Sequence, residues 1–324
     1  MTTYRVSGFV FASAVRFPEL TPAAGVEPSC RLTITRGRIA PARPQWYHRW
    51  RLPGGVEWVR FARVGPDYLL RFSRLADFLV SGDGTMVRCR PRASAPRKTI
   101  RHLFLHQVLP LVLGQRGRVV VHASAVATPA GTVAFLGGSR RGKSTLAASF
   151  WMAGFPLVTD DCLRIDQRRR RLVAVPGYPS VRLWPDAMRG LAIEARAARP
   201  SAHYTEKIRV GSGGGNRRFA TRPLPIVRVY VLAGARGGRG RLPVRIERLS
   251  TRDGLVELIA HLYRLDVGRR ELLRRDFDRL ADLAERLSIR RLLVPRGLAR
   301  LPEVRDAVMA DLGELGIENS GWEK

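Results

Sequence analysis

The run Gly137-Gly138-Ser139-Arg140-Arg141-Gly142-Lys143-Ser144 fits the pattern G-x-x-x-x-G-K-[ST] and constrains the fold more than any other stretch of the chain. Such a loop works only between a strand and a helix. Its glycines let backbone N–H groups curl around phosphate oxygens, and the helix N-terminus adds about half a positive charge. The flanks read that way: Thr132 to Leu136 as a strand, Lys143 to Ala153 as a helix closed by Gly154. Lys143 then reaches the β- and γ-phosphates of a nucleoside triphosphate, ATP in the simplest reading, and the Ser144 hydroxyl holds Mg²⁺. The nucleotide-binding set is Gly137, Gly138, Ser139, Arg140, Arg141, Gly142, Lys143, Ser144 and Thr145. Lysine occurs elsewhere only at Lys98, Lys207 and Lys324, so its presence here is informative: a compact ammonium fits where a planar guanidinium would not. Arg140 stands where glycine or a small residue would be easier if the backbone needs a positive φ.

Before the loop the pattern differs. Tyr4 to Val6, Arg31 to Thr35, Val56 to Phe61 and Tyr68 to Phe72 are short alternating runs of β type, and Ser81 to Gly84 is a hairpin turn. They predict a small β-rich N-terminal domain over residues 1–97, joined by a polar linker at 93–99 to a second, catalytic domain over 98–324. In the latter, 100–114 has helical spacing and Val119 to Ala127 reads as one strand. Phe155 to Thr159 is another strand, and Leu163 to Asp166 with Leu172 to Val175 form a hairpin. Gly211 to Gly215 and Gly234 to Gly240 are flexible by composition. Ile226 to Ala233 is a buried strand, Leu255 to Arg264 and Glu271 to Leu287 are amphipathic helices, and a strand at Arg290 to Val294 and a helix at Glu303 to Leu312 follow.

Lys and Arg number 57 against 27 Asp and Glu, a net charge of +30. The arginines are spread along the chain, and the runs Arg168 to Arg171 and Arg236 to Arg241 look like solvated turns, so nucleic acid is disfavoured as the main partner. An acidic peptide or small protein docking on a basic face suits the charge better. Cys30, Cys89 and Cys162 have neither pair nor metal-ligand spacing, and the most apolar stretch, Leu103 to Leu113, is too short to span a bilayer. With no signal-peptide pattern at the start, a soluble cytoplasmic protein without membrane contact is expected. A homo-oligomer is compatible with the chain.

Asp160-Asp161 follows the strand after the loop helix, at the sheet edge that faces the ligand crevice in α/β folds. One carboxylate there can hold Mg²⁺ and the other can take the proton of an attacking hydroxyl; the competing reading is a pair of solvated turn residues. His122 lies on the strand before the loop, as either a satisfied core histidine or a catalytic one. Spacing alone decides neither case.

His122 to Val126, Gly137 to Ser144 and Gly154 to Asp161 together resemble the catalytic core of the HPr kinase/phosphorylase family. Val175 to Pro185 resembles the related proteins found beside ribosomal-peptide clusters, including lasso peptide kinases. The resemblance runs from about residue 100 to 190. It implies a P-loop α/β nucleotide domain of the HPr kinase and phosphoenolpyruvate carboxykinase type, and transfer of a phosphoryl group from ATP with Mg²⁺ to a serine hydroxyl. It implies Lys143 on the phosphates, Ser144 on the metal, Asp160 supporting the metal or orienting Asp161, Asp161 as base, and His122 polarising the reacting phosphate or its acid–base partner. Three features depart from the family. Arg140 and Arg141 replace small residues, the second metal-binding glutamate has no counterpart better than Asp186, and the long motif tied to phosphorolysis is absent. Lys207, in a polar stretch before the first glycine-rich loop, and Arg217 and Arg218 are candidate further phosphate contacts, with a solvated loop as the competing reading.

Overall fold

A computed structural model describes residues 1–41, 43–52, 54–194, 198–202, 204–211, 219–234, 243–295 and 297–314. Arg217, Arg218, the run Arg236 to Arg241 and most of both glycine-rich stretches lie outside the described residues. The chain divides into two compact units: Met1–Arg118 with Ser201–Tyr204 and Tyr263–Leu273, and Val119–Pro200 with Thr205–Leu262 and Arg274–Lys324.

In the first unit β1 (Thr2–Val6), β2 (Phe9–Ser13), β3 (Cys30–Ile34), β4 (Gln45–Arg51), β5 (Glu57–Val64), β6 (Asp67–Phe72), β7 (Ala76–Val80) and β8 (Met86–Pro91) form one sheet. Its order is β1-β2-β3-β8-β7-β6-β5-β4. The β7–β8 hairpin closes on Asp83, whose Oδ1 accepts from Ser81 Oγ at 2.6 Å and from Thr85 N at 3.0 Å. Residues 100–114 are helical but not one regular helix. A π turn at Phe104–Val108 separates α1 (Arg97–Leu103) from α2 (Leu109–Gln115). Leu109 N–H reaches back five residues to Phe104 O, and Pro110 has no N–H to continue a four-residue ladder. Phe104 lies 5.0 Å from Phe11 and 5.8 Å from Phe17, ring centre to ring centre, so this helix packs onto the first strands instead of opening the second unit.

The second unit is mixed α/β. Its large sheet holds β9 (Val119–Val121), β10 (Ser124–Thr128), β11 (Gly131–Leu136), β12 (Leu157–Thr159), β13 (Leu163–Arg168) and β14 (Arg171–Val175), followed further along the chain by β18 (Leu224–Gly234), β19 (Arg245–Arg248) and β20 (Ile289–Val294). A smaller sheet joins β15 (Ser180–Leu183), β16 (Ala198–Ala202) and β17 (Thr205–Gly211) in the order β15-β17-β16. The helices are α3 (Lys143–Met152), α4 (Pro185–Gly190), α5 (Thr251–His261), α6 (Arg270–Arg286, of the second unit from Arg274 onward) and α7 (Leu301–Gly313).

β11 shows why the large sheet is covered on both faces. Its residues are all buried and alternate between two cores. Val133 and Phe135 join Phe150 of α3 and Val304 of α7, while Ala134 and Leu136 join Leu258 of α5 and Leu283 of α6. The strand expected over Val119 to Ala127 is broken at His122-Ala123. β9 pairs with β13, whereas β10 pairs with β11 and β12, so the chain must turn between them. His122 therefore sits in a bend and not within a strand.

Candidate active site

Gly137 to Gly142 connects β11 to α3, the setting the motif requires. Gly142 precedes α3 with φ 87°, a left-handed conformation that glycine takes without strain. Arg140 also has a positive φ, 63°, and as a non-glycine residue it carries strain there. Ser139, Arg140 and Arg141 are exposed, while Ser144 and Thr145 are half-buried on the first turn of α3. Lys143 is buried, and its ammonium donates to Gly137 O at 2.6 Å and to Gly138 O at 3.3 Å, which folds it along the loop.

Asp160 and Asp161 lie just past β12 and are 7% and 5% exposed, so neither is a solvated turn residue. Thr159 Oγ1 donates to Cys162 O at 2.8 Å and closes the turn that carries them. Asp160 ties strands together: Oδ1 accepts from Ser124 Oγ of β10 at 2.7 Å, and Oδ2 accepts from Arg182 N of β15 at 2.9 Å. Asp161 has φ 78°, a second strained position. Its carboxylate is ion-paired with the Arg182 guanidinium, and His122 Nδ1 is 3.8 Å from Oδ1. His122 is steadied from behind by its N–H, which donates to His261 O at 2.7 Å.

Gly177 explains how β15 reaches this place. Its N–H donates to Val158 O at 2.9 Å, and a Cβ there would collide with the Thr159 hydroxyl. Only glycine lets the Val175 to Pro185 segment lie against the end of β12. Along β15 Val181 and Leu183 enter the apolar core, so Arg182 projects from the opposite face.

The electrostatics are dominated by crowded cations. Burial lowers Lys143 to about 8; Asp160 opposes the shift and Lys207 adds to it. Lys207, expected in a polar loop, is on β17 instead. It is also lowered to about 8, by burial first and then by Arg182, with Asp160 opposing and Arg140 adding. Burial, followed by Lys143, Arg182, His261 and Lys207, pushes His122 well below the usual histidine value. Its imidazole is therefore neutral at neutral pH. Trp184 lies between two of the cations, its ring centre 5.3 Å from the Arg140 guanidinium carbon and 5.7 Å from Lys207 Nζ. Cys162, next to Asp161, has a thiol pushed up to about 12 by burial and supplies no thiolate nucleophile.

The structure thus gathers Asp160, Asp161, His122, Lys143 and Lys207, and adds Arg182 and Trp184. Those two fall in the Val175 to Pro185 segment that carried part of the resemblance, but no spacing rule assigned them a role. The cations exceed the two carboxylates, a balance that suits a polyanion. For Mg²⁺ the donor set fits: the Ser144 hydroxyl and the Asp160 carboxylate are hard oxygen ligands, and Asp160 keeps lone pairs beyond the two hydrogen bonds it accepts. Among the described residues no three His, Cys, Asp or Glu side chains cluster as an all-protein metal site, so an ion here would need phosphate oxygens to complete its shell. Asp186 heads α4 and belongs to no such cluster.

No family model matches the chain, and no curated protein matches it. Among solved structures it is similar to the HPr(Ser) kinase/phosphatase from Coxiella burnetii, with a TM-score of 0.30 and 13% identity over 59% of this chain and 97% of that one. A likeness at that level carries no conclusion about activity. Among the described residues no helix is long and apolar enough to cross a membrane.

Proposed function

We propose that the chain is an ATP-dependent phosphotransferase that moves the γ-phosphoryl group to a serine hydroxyl of a peptide or small protein, such as a ribosomally made precursor peptide. In this reading the second unit, which opens at Val119 and not at residue 98, is a P-loop nucleotide domain of the HPr kinase type, the first unit is a β-rich domain, and the protein works in the cytoplasm. One observation carries the proposal: a buried, strained Asp161 stands beside neutral His122 in a cluster of cations that includes the loop lysine.

The loop N–H groups and Lys143 bind the phosphates, while Lys207 and Arg182 offset the charge that builds on the transferred group. Asp161 takes the proton from the serine hydroxyl as its oxygen bonds to the γ-phosphorus. The bond from that phosphorus to the β-phosphate bridging oxygen breaks, and ADP leaves. His122, neutral, orients Asp161 or donates to a phosphate oxygen. Mg²⁺ held by Ser144 and Asp160 would neutralise charge on the phosphate oxygens. Asp161→Asn should keep ATP affinity and lose transfer of labelled phosphate; transfer at the normal rate would remove Asp161 as the base.

The Arg182–Asp161 ion pair favours a second reading, because a guanidinium on the carboxylate competes with an incoming hydroxyl. In that reading the loop senses ATP without transferring it, and ATP binds tightly with no acceptor-dependent turnover. Incubating the protein with labelled ATP and candidate acceptors decides between the two, and the labelled species tells a peptide from a small-molecule hydroxyl.

A further inference from the structure

A second group of cations in the same unit shares no residue with the glycine-loop site. A cavity of about 340 Å³ is bordered by Arg228 of β18, Arg248 at the end of β19, Ser250 and Thr251 at the head of α5, and Ser288 and Arg290 around the start of β20. Arg228 and Arg290 are only 2% and 8% exposed. One buried carboxylate, Asp311 of α7, serves both. It lies 3.1 Å from Arg228 Nε, pairs with Arg290 Nη1, and accepts the Tyr230 hydroxyl at 2.6 Å. Arg228 also donates to Ser288 Oγ, and among the described residues neither Arg228 Nε nor Arg290 Nε has a well-aligned hydrogen-bond acceptor.

Two buried guanidiniums facing one buried carboxylate leave a positive charge that the interior does not neutralise. Burial and the neighbouring Arg228 and Arg248 push the Arg290 pKa down, against the pull of Tyr230 and Glu314. The other acids at the rim, Glu285 and Glu314, are exposed and screened by water; the Glu314 carboxylate is 3.7 Å from Arg290 Nη1 with its side chain 71% exposed. α5 begins at the same rim. Ser250 Oγ accepts from Asp253 N at 3.1 Å and donates to the Asp253 carboxylate at 2.8 Å, so that acid is turned onto its own cap. The N–H groups of Thr251 and Arg252 begin the helix and have no intrahelical acceptor.

We propose that this cavity is a second anion site, which takes a small phosphate monoester on Arg248, Arg290 and the head of α5. The volume is that of a small-molecule pocket, and paired guanidinium forks match phosphate oxygens.

The test uses inorganic phosphate on the full chain at constant ionic strength, with Lys143→Ala removing phosphate binding at the glycine loop. Phosphate should still raise the melting temperature of that variant. Adding the exposed substitution Arg248→Ala should weaken the effect about tenfold without changing the phosphate-free melting temperature. On the otherwise wild-type chain Arg248→Ala should weaken one of two phosphate sites about tenfold and leave the other unchanged, a readout that does not depend on how well the lysine variant folds. Glycerol phosphate should compete for the site and acetate should not. In the Lys143→Ala background, a phosphate effect that Arg248→Ala leaves unchanged, or no phosphate effect at all, overturns the proposal. Equal binding of acetate overturns the ligand class.

Discussion

Asp266 in the first unit and Asp161 in the second are both buried carboxylates that face an arginine, and they are held in opposite ways. Asp266 accepts from Arg63 at 3.0 and 2.8 Å, from the Tyr68 hydroxyl at 3.1 Å and from Gly268 N at 2.8 Å. Burial alone would raise its pKa, but these donors, Arg63 foremost, bring it below the ordinary value. Asp161 instead sits on left-handed backbone among cations that exceed the carboxylates. Charge that only holds a fold together is neutralised where it stands. Charge in surplus, on strained backbone, is what the proposed site would offer an arriving polyanion.

The largest effects should separate these two carboxylates by function. Asp161→Asn should lower phosphotransfer by about 10² to 10⁴-fold with ATP affinity little changed, measured with labelled ATP and an acceptor peptide. Lys143→Ala should lower ATP affinity itself, which equilibrium binding would detect. Asp266→Ala should do the reverse: a loss of about 3 kcal/mol in urea unfolding, because it strands a partly buried arginine, with ATP affinity unchanged at temperatures where the variant is folded. If it abolished ATP binding in folded protein, the division between structural and functional charge would fail.

A smaller effect lies in the pH dependence. Lys143 and Lys207 are lowered from 10.5 to about 8, so above that pH the folded chain loses protons that the unfolded chain still holds. The unfolded state then binds more protons, and stability without ligand should rise with pH from about 8 to 10.5. ATP affinity should move the other way and fall above about pH 8, since neutral lysines no longer attract phosphate. Affinity that stays level up to pH 10 would show that these lysines do not contact the nucleotide. The smallest effect is expected at Arg140, where glycine would relieve the positive φ. Arg140→Gly should change stability by about 1 kcal/mol or less and weaken ATP binding a few-fold through the lost charge, seen together in melting and binding measurements.

Sequence signals are clear where they are short in range. Strand, loop and helix around Gly137 to Ser144 were legible, as were the 163–175 hairpin and the strain at Arg140, because each rests on backbone preferences within a few residues. The break at His122 was not. Val119 to Ala127 holds no glycine or proline to mark a break, and only the different partners of β9 and β10 bend it. Lys207 looked like a residue of a polar loop because the alternation along β17 is weak: most of its residues are only half-buried.

The sequence by itself determined that a glycine-rich loop heads a helix and that two adjacent aspartates close the next strand. Tertiary structure decided that Arg182 and Lys207 share their surroundings. β15 and β17 pair antiparallel, with Arg182 opposite Arg209 and Leu183 opposite Ile208. That register is set by Val181, Leu183 and Val210, which must enter the core, so Arg182, Lys207 and Arg209, on the alternate face of their strands, turn their charges away from it. Segments this far apart in the chain carry no local signal of one another. Burial of their apolar neighbours brings their charges together.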